Sequence, residues 1–237
     1  MSTLFAAAAA FLAIHLLVSG THLRRALVGM IGERPYLGLF SLASAGLIVW
    51  LVMAYNAAQK SPDNSLLYDL GHIRDLGVVV VALAFFLGVQ GLLLPNPTSV
   101  QQEKAALRED AVKGVLHITR HPFLWAVILW SGFHLAANGD VASVVFFATF
   151  FVLALFGTFS IDAKRKRRLG PAWSEFASKT SNLPFAAVLA GRTRLSLAED
   201  FGWRFWLSLF FFLAFLFAHS RLFGVSPFPN GWTPQLH

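Results

Sequence analysis

Apolar residues in this chain come in long blocks separated by short polar stretches. Six blocks suit helices that cross a bilayer, which takes about 20 largely apolar residues. They are Ser2–Ser19, Pro35–Asn56, Leu76–Leu94, Pro122–Ala137, Val141–Ile161 and Trp203–Phe223. Proline opens the second and fourth blocks, in the first helical turn, where its missing N–H is tolerated. Pro95 and Pro97 stop the third, and Asn138-Gly139 closes the rather short fourth. Between them, Val100, Leu107, Ala111 and Val115 recur near helical spacing, with Glu103, Lys104, Arg108 and Glu109 elsewhere. Ser99 followed by Gln102 suggests a capping box, so Val100–Leu116 is expected to be an interfacial helix lying on the membrane. The expected fold class is all-α: a polytopic membrane protein of about six transmembrane helices with a cytoplasmic interfacial helix. One domain over residues 1–237 is expected, with no internal repeat.

Composition agrees with the pattern. Of 237 residues, 56% are apolar and 13% charged, about half the charge of soluble domains. A soluble monomer of this kind would expose too much apolar surface. This excludes an ordinary cytosolic enzyme, a disordered chain and a disulfide scaffold. The net charge of +7 alone would suit an anionic partner. Its placement says otherwise. Sixteen of the nineteen Lys and Arg follow the first, third and fifth blocks, where eight carboxylates leave a net +8. The opposite face has Lys60, Arg74 and Arg221 and a net charge of −1. The positive-inside rule makes the first face cytoplasmic and puts both termini outside, in the periplasm if the membrane is a bacterial inner membrane. The first basic residue, Arg24, follows the first block, the reverse of a secretory signal, so a retained helix is expected. The run Lys164–Arg168 reads as a topology anchor on anionic headgroups. No nucleic-acid partner is expected, because no aromatic-interleaved groove surrounds it.

Cysteine is absent, which removes disulfides, thiolate nucleophiles and zinc–thiolate sites. Ionisable side chains inside a membrane are costly and are functional candidates by default. Here they are nearly all histidines: His15 in the first block, His134 in the fourth and His219 in the sixth. His121 sits at the mouth of the fourth block, before Pro122, as the helix cap; His22, His72 and His117 lie near interfaces and His237 ends the chain. Neutral imidazole tolerates low dielectric and still ligates a metal. His15, His134 and His121 are therefore the candidate metal or haem ligands, with interhelical hydrogen bonding or capping as the plainer role for each. One metal cannot take both His121 and His134, which lie roughly 20 Å apart along one helix. Depth counting pairs His15 with His121. Asp140 and Asp162 read as helix-end residues, and no carboxylate dyad, phosphate loop or zinc-protease motif is present.

Several stretches in order resemble the NnrU family of bacterial inner-membrane proteins. They are His15-Leu16 with Leu23-Arg24, Gly32-Glu33-Arg34-Pro35-Tyr36, and Leu39-Phe40-Ser41-Leu42. Ile118-Thr119-Arg120-His121-Pro122-Phe123 is the most specific, continuing to Trp130, His134 and Asn138-Gly139-Asp140. Ile161-Asp162 with the basic run, Gly170, Trp173, Phe176, Thr180-Ser181, Pro184-Phe185-Ala186 and Gly191-Arg192 complete the match. The family is similar to zeta-carotene isomerase, a haem b protein that isomerises a cis double bond in a carotenoid. The resemblance implies haem b, with His15 and His134 as the matching axial ligands, His121 and Arg120 in the matching Arg-His-Pro motif, and a link to nitric oxide and denitrification. The chain departs from the isomerase at Leu153-Ala154, where the isomerase has two adjacent histidines. The spacing from His15 to Arg24 is also about two residues longer.

A fainter similarity, over Gly114–Pro184, is to isoprenylcysteine and phospholipid methyltransferases. It would place S-adenosylmethionine near Arg120, His121, Asp162 and Trp173. Three functions are thus expected: a histidine-ligated haem protein acting in nitric oxide metabolism or on an apolar polyene, a methyltransferase-like protein, or an accessory factor for a membrane partner such as nitric oxide reductase. The lipid bilayer is the common partner.

Overall fold

The computed structural model describes residues 1–18, 21–108, 110–196 and 202–228. The helices are α1 (Ser2–Ala13), extended by a π-turn over Ile14–Val18; α2 (His22–Ile31); α3 (Glu33–Gln59); and α4 (Gly77–Leu93), preceded by a 3-10 turn over Gly71–Leu76. They continue with α5 (Pro122–Ala137), α6 (Val141–Leu169), α7 (Pro171–Lys179), the short α8 (Ala186–Leu189) and α9 (Gly202–Phe223). The protein is an all-α polytopic membrane protein. Among the described residues, four segments are long and apolar enough to cross a bilayer: α3, the 3-10 turn with α4, α6 and α9. The pair Ser2–Val18 and His22–Ile31, bent by 79°, makes a fifth if it counts as one span. The fourth predicted block is a shorter helix. The 16 residues of α5 reach roughly 24 Å at 1.5 Å per residue, less than the ~30 Å hydrocarbon core.

The predicted interfacial helix differs most. Val100–Leu116 contains two 3-10 segments, Glu103–Leu107 and Gly114–Leu116, and no continuous α-helix among its described residues. Gln101 has a positive φ of 61° and Arg108 is extended. The cause is competition from tertiary polar contacts. Gln102 Oε1 accepts from the Asn96 N–H at 2.8 Å, so the expected capping box with Ser99 does not form. Arg165 donates to the Ser99 carbonyl at 2.8 Å and to Glu103 at 2.5 Å, and Arg168 to Glu103 at 3.0 Å. Burial alone would raise the Glu103 carboxyl, but its own backbone N–H and the two guanidinium groups hold it below the usual range. Part of the basic run is therefore an internal clamp.

The chain divides into two compact units: 1–71 with 134–153, and 72–133 with 154–237. In the first, Leu4, Ala7, Ala8 and Phe11 form the buried face of α1, and Leu51, Ala54 and Ala58 are buried on α3, which packs against it. Small residues let these two helices approach closely. The end of α3 is tied to the start of α6. Gln59 donates to Asp140 at 3.0 Å and to Ser143 at 2.9 Å. Asp140 also accepts from the Ser143 N–H at 2.9 Å, the geometry of a helix N-cap.

In the second unit, two glycines of α4 set the approach of α5. A Cβ at Gly91 would lie 2.8 Å from Pro122 Cγ and 3.0 Å from the Phe123 N, and one at Gly88 3.2 Å from Ala126 Cβ. This contact fixes the start of α5, and with it His121. Packing of α9 on α4 uses Phe85 against Phe212 and Phe215, with ring centroids 6.0 and 5.4 Å apart.

Gly139 is the tightest point of the first unit. A Cβ there would lie 1.8 Å from the Tyr68 carbonyl oxygen, in a turn whose Gly139 carbonyl accepts from the Leu67 N–H at 2.8 Å. Gly139→Ala should lower stability by about 2 kcal/mol or more, read as a fall in detergent melting temperature. An unchanged melting temperature would contradict this packing.

Candidate functional site

The predicted histidines fall into two groups. His15 and His134 belong to the first unit; His121 and Arg120 belong to the second. Among the described residues, no three or more His, Asp or Glu side chains gather as a metal-holding group.

His15 stands in the π-turn that extends α1. Its Nδ1 lies 2.8 Å from the Phe11 carbonyl oxygen, one turn back. A carbonyl only accepts, so this bond puts the proton on Nδ1 and leaves a lone pair on Nε2. Ser44, on α3, donates to that lone pair at 3.2 Å. The interhelical serine contact is the plainer role open to His15. The same arrangement fits a metal ligand, since ligating histidines commonly fix one ring nitrogen on a carbonyl and bind through the other. Ligation would require Ser44 to release Nε2. Ser44 itself was missed in the sequence; its only signal was a serine, one of two, inside an apolar block.

Aromatic rings surround this group. His15 packs on Phe11 at 4.5 Å and on Phe40 at 5.2 Å between centroids. From Phe11 the rings run through Phe150 at 5.6 Å, Phe146 at 5.2 Å and Phe147 at 5.2 Å. Phe147 stacks on His134 at 4.9 Å with a 30° interplanar angle. Tyr55 stacks on Phe146 at 4.5 Å. A continuous line of π-faces thus joins His15 to His134. Spacing along α1 and α6 holds these rings, but the line depends on how the helices face one another, which no local pattern shows.

The second group centres on Asp162. It was read as a helix-end residue, but α6 continues to Leu169 and leaves Asp162 within the helix. His121, fully buried, donates from Nε2 to Asp162 Oδ1 at 2.7 Å. Arg120 Nε lies 3.6 Å from the other carboxylate oxygen, and its guanidinium sits 5.7 Å from the Trp173 ring centroid. Burial holds the His121 imidazole below its usual range, outweighing the Asp162 carboxylate that raises it. Its Nδ1 is buried without a hydrogen-bond partner. The backbone around it is tied down: Arg120 N donates to the Ser181 carbonyl at 2.8 Å, and Thr98 Oγ1 to the Arg120 carbonyl at 2.9 Å. Trp125 Nε1 donates to the Asn182 carbonyl at 2.8 Å.

The remaining histidines sit at the margins. His22 lies beside Arg25, His117 shares a hydrogen bond with Thr193, and His219 Nδ1 donates to the Val225 carbonyl. His72 is exposed, and His237 lies outside the described residues.

Comparison with known proteins gives a match to the family described as NnrU protein over residues 3–227. The chain is 27% identical over 170 residues to the 15-cis-zeta-carotene isomerase, chloroplastic, of Zea mays, covering 70% of this chain and 45% of that protein. It is 28% identical over 176 residues to the protein of the same name from Arabidopsis thaliana, covering 73% of this chain and 46% of that one. The chain therefore spans a little under half the length of these curated relatives. No solved structure matches it.

Removing the Asp162 carboxylate would leave both Arg120 and His121 without their charged partner. Asp162→Ala should destabilise the protein by about 2 kcal/mol or more, whereas His121→Gln should cost less. Melting of the detergent-purified variants checks the order, and equal effects would show that the carboxylate is not the hub.

Proposed function

On the premise that this chain belongs to the NnrU family, as the match over nearly its whole length shows, we propose that it is a histidine-ligated haem b protein. We further propose that it acts on a cis double bond of an apolar, carotenoid-like polyene. The isomerase relatives support the reaction class. The single observation that carries the cofactor is His15, with its proton held by the Phe11 carbonyl and its Nε2 facing a displaceable hydroxyl.

When bound, haem would supply a metal centre able to exchange electron density with the polyene and weaken its double bond. The chain's own residues do the rest. His15 would hold the metal through Nε2 while Phe11 keeps its ring orientation. His134, on the same unit, is the candidate second ligand. Phe11, Phe146, Phe147 and Phe150 offer flat apolar faces to a planar ring or a conjugated rod, and exclude water. Residence in the bacterial inner membrane, with the basic loops cytoplasmic, belongs to the same proposal, as does a link to nitric oxide metabolism.

A second reading rests on a different observation: Arg120, His121, Asp162 and Trp173 converge in the second unit. These are the residues that the methyltransferase similarity names. Calorimetry with S-adenosylmethionine tests it, and no heat at millimolar cofactor removes it.

The haem reading predicts a Soret band in protein purified in detergent after expression with ample haem. His15→Ala should abolish or shift that band, and His219→Ala should leave it intact. A wild-type protein without a Soret band would overturn the reading.

A further inference from the structure

Outside the spans, the second unit carries an unusual surface. Val100, Leu107, Leu183, Phe185 and Leu189 are all exposed on its connecting segments, Leu189 at 86%. Exposed apolar side chains in such number suit a surface that contacts the membrane interface. A cleft of about 420 Å³ opens among the same segments, within the roughly 300–1,000 Å³ of small-ligand sites.

The cleft is two-sided in character. Leu107, Val112 and Phe176 give it an apolar wall, and Arg108, Lys179 and Arg192 bring positive charge to it. Glu175 is the acidic residue among its lining groups. Arg192 is held in place by donating to the carbonyls of Ser178 and Thr180, both at 2.9 Å, at the end of α7. Arg108 and Lys179 keep about half of their side chains exposed, Arg108 beside Asp110 and Lys179 beside Glu175. Their partners lie at the surface, where ion pairs are weak enough to rearrange. A ligand that satisfies both walls has an anionic head and an apolar body.

We propose that this cleft binds the phosphate headgroup of an acidic glycerophospholipid. Arg108 and Lys179 contact the phosphate, Arg192 contributes a fixed positive charge, and the acyl chains lie along Leu107 and the neighbouring exposed side chains. Basic pockets beside membrane helices bind acidic lipid headgroups in this way. The lining includes none of His15, His134, His121 and Asp162, so the proposal stands or falls independently of the haem reading.

Native mass spectrometry of the full chain, purified in detergent and titrated with phosphatidylglycerol or phosphatidylcholine, tests this. Wild type should retain one phosphatidylglycerol under conditions that strip phosphatidylcholine. Arg108→Gln with Lys179→Gln should weaken that retention by on the order of tenfold. Lys60→Gln with Arg74→Gln, the same charge change on exposed residues outside the cleft, should leave it unchanged. Lys179→Gln alone, at an exposed position, serves if the double variant does not fold, and should weaken retention by about fivefold. Equal loss in the control variant, equal retention of both lipids, or displacement of the lipid by inorganic phosphate would overturn the proposal.

Discussion

A polar group removed from water must find a partner inside the protein, and most of the non-repetitive structure here follows from that constraint. Asp162 gives the clearest case. It sits in α6 and takes both Arg120 and His121, so the chain entering α5 is fixed to α6 by charge as well as by packing. Thr98 and Ser181 hold the Arg120 backbone at that junction, and the Asn182 carbonyl takes the Trp125 indole N–H. Glu103 does the same one turn further on, through Arg165 and Arg168. Together these contacts order the loops of the second unit, where the regular hydrogen bonds of a long helix are not available.

The first unit solves the same problem differently. Its interhelical polar contacts are His15 with Ser44 and a small cluster in which Gln59 bonds Asp140 and Ser143 and Tyr55 bonds Ser143. Aromatic stacking fills the space between them. The two units therefore differ in how they are held together, by stacked rings in one and paired charges in the other.

The helices were legible because block length and flanking proline act locally. Pro122–Ala137 forms with the bounds that Pro122 and Asn138-Gly139 set, and α6 starts where Asp140 caps it. The predicted interfacial helix was not legible, because its apolar spacing was real but weaker than the pull of Asn96, Arg165 and Arg168 on its polar groups. Those partners lie up to 66 residues away in sequence. Arg120 and His121 stood out as a motif, and Asp162 and Trp173 joined them only through a faint resemblance. Ser44 and the ring line from Phe11 to Phe147 had no sequence signal beyond their residue types.

The π-turn over Ile14–Val18 has one more consequence. A π-turn holds an extra residue within a continuous helix, and each added residue rotates the remainder of the helix by roughly 100°. It can thus absorb a change in length without disturbing the face that Leu4, Ala7, Ala8 and Phe11 present to α3. His15 lies inside this turn and bonds back to the Phe11 carbonyl, so its aim follows the face that Phe11 presents. A change in chain length after the turn would therefore leave the imidazole on the same carbonyl.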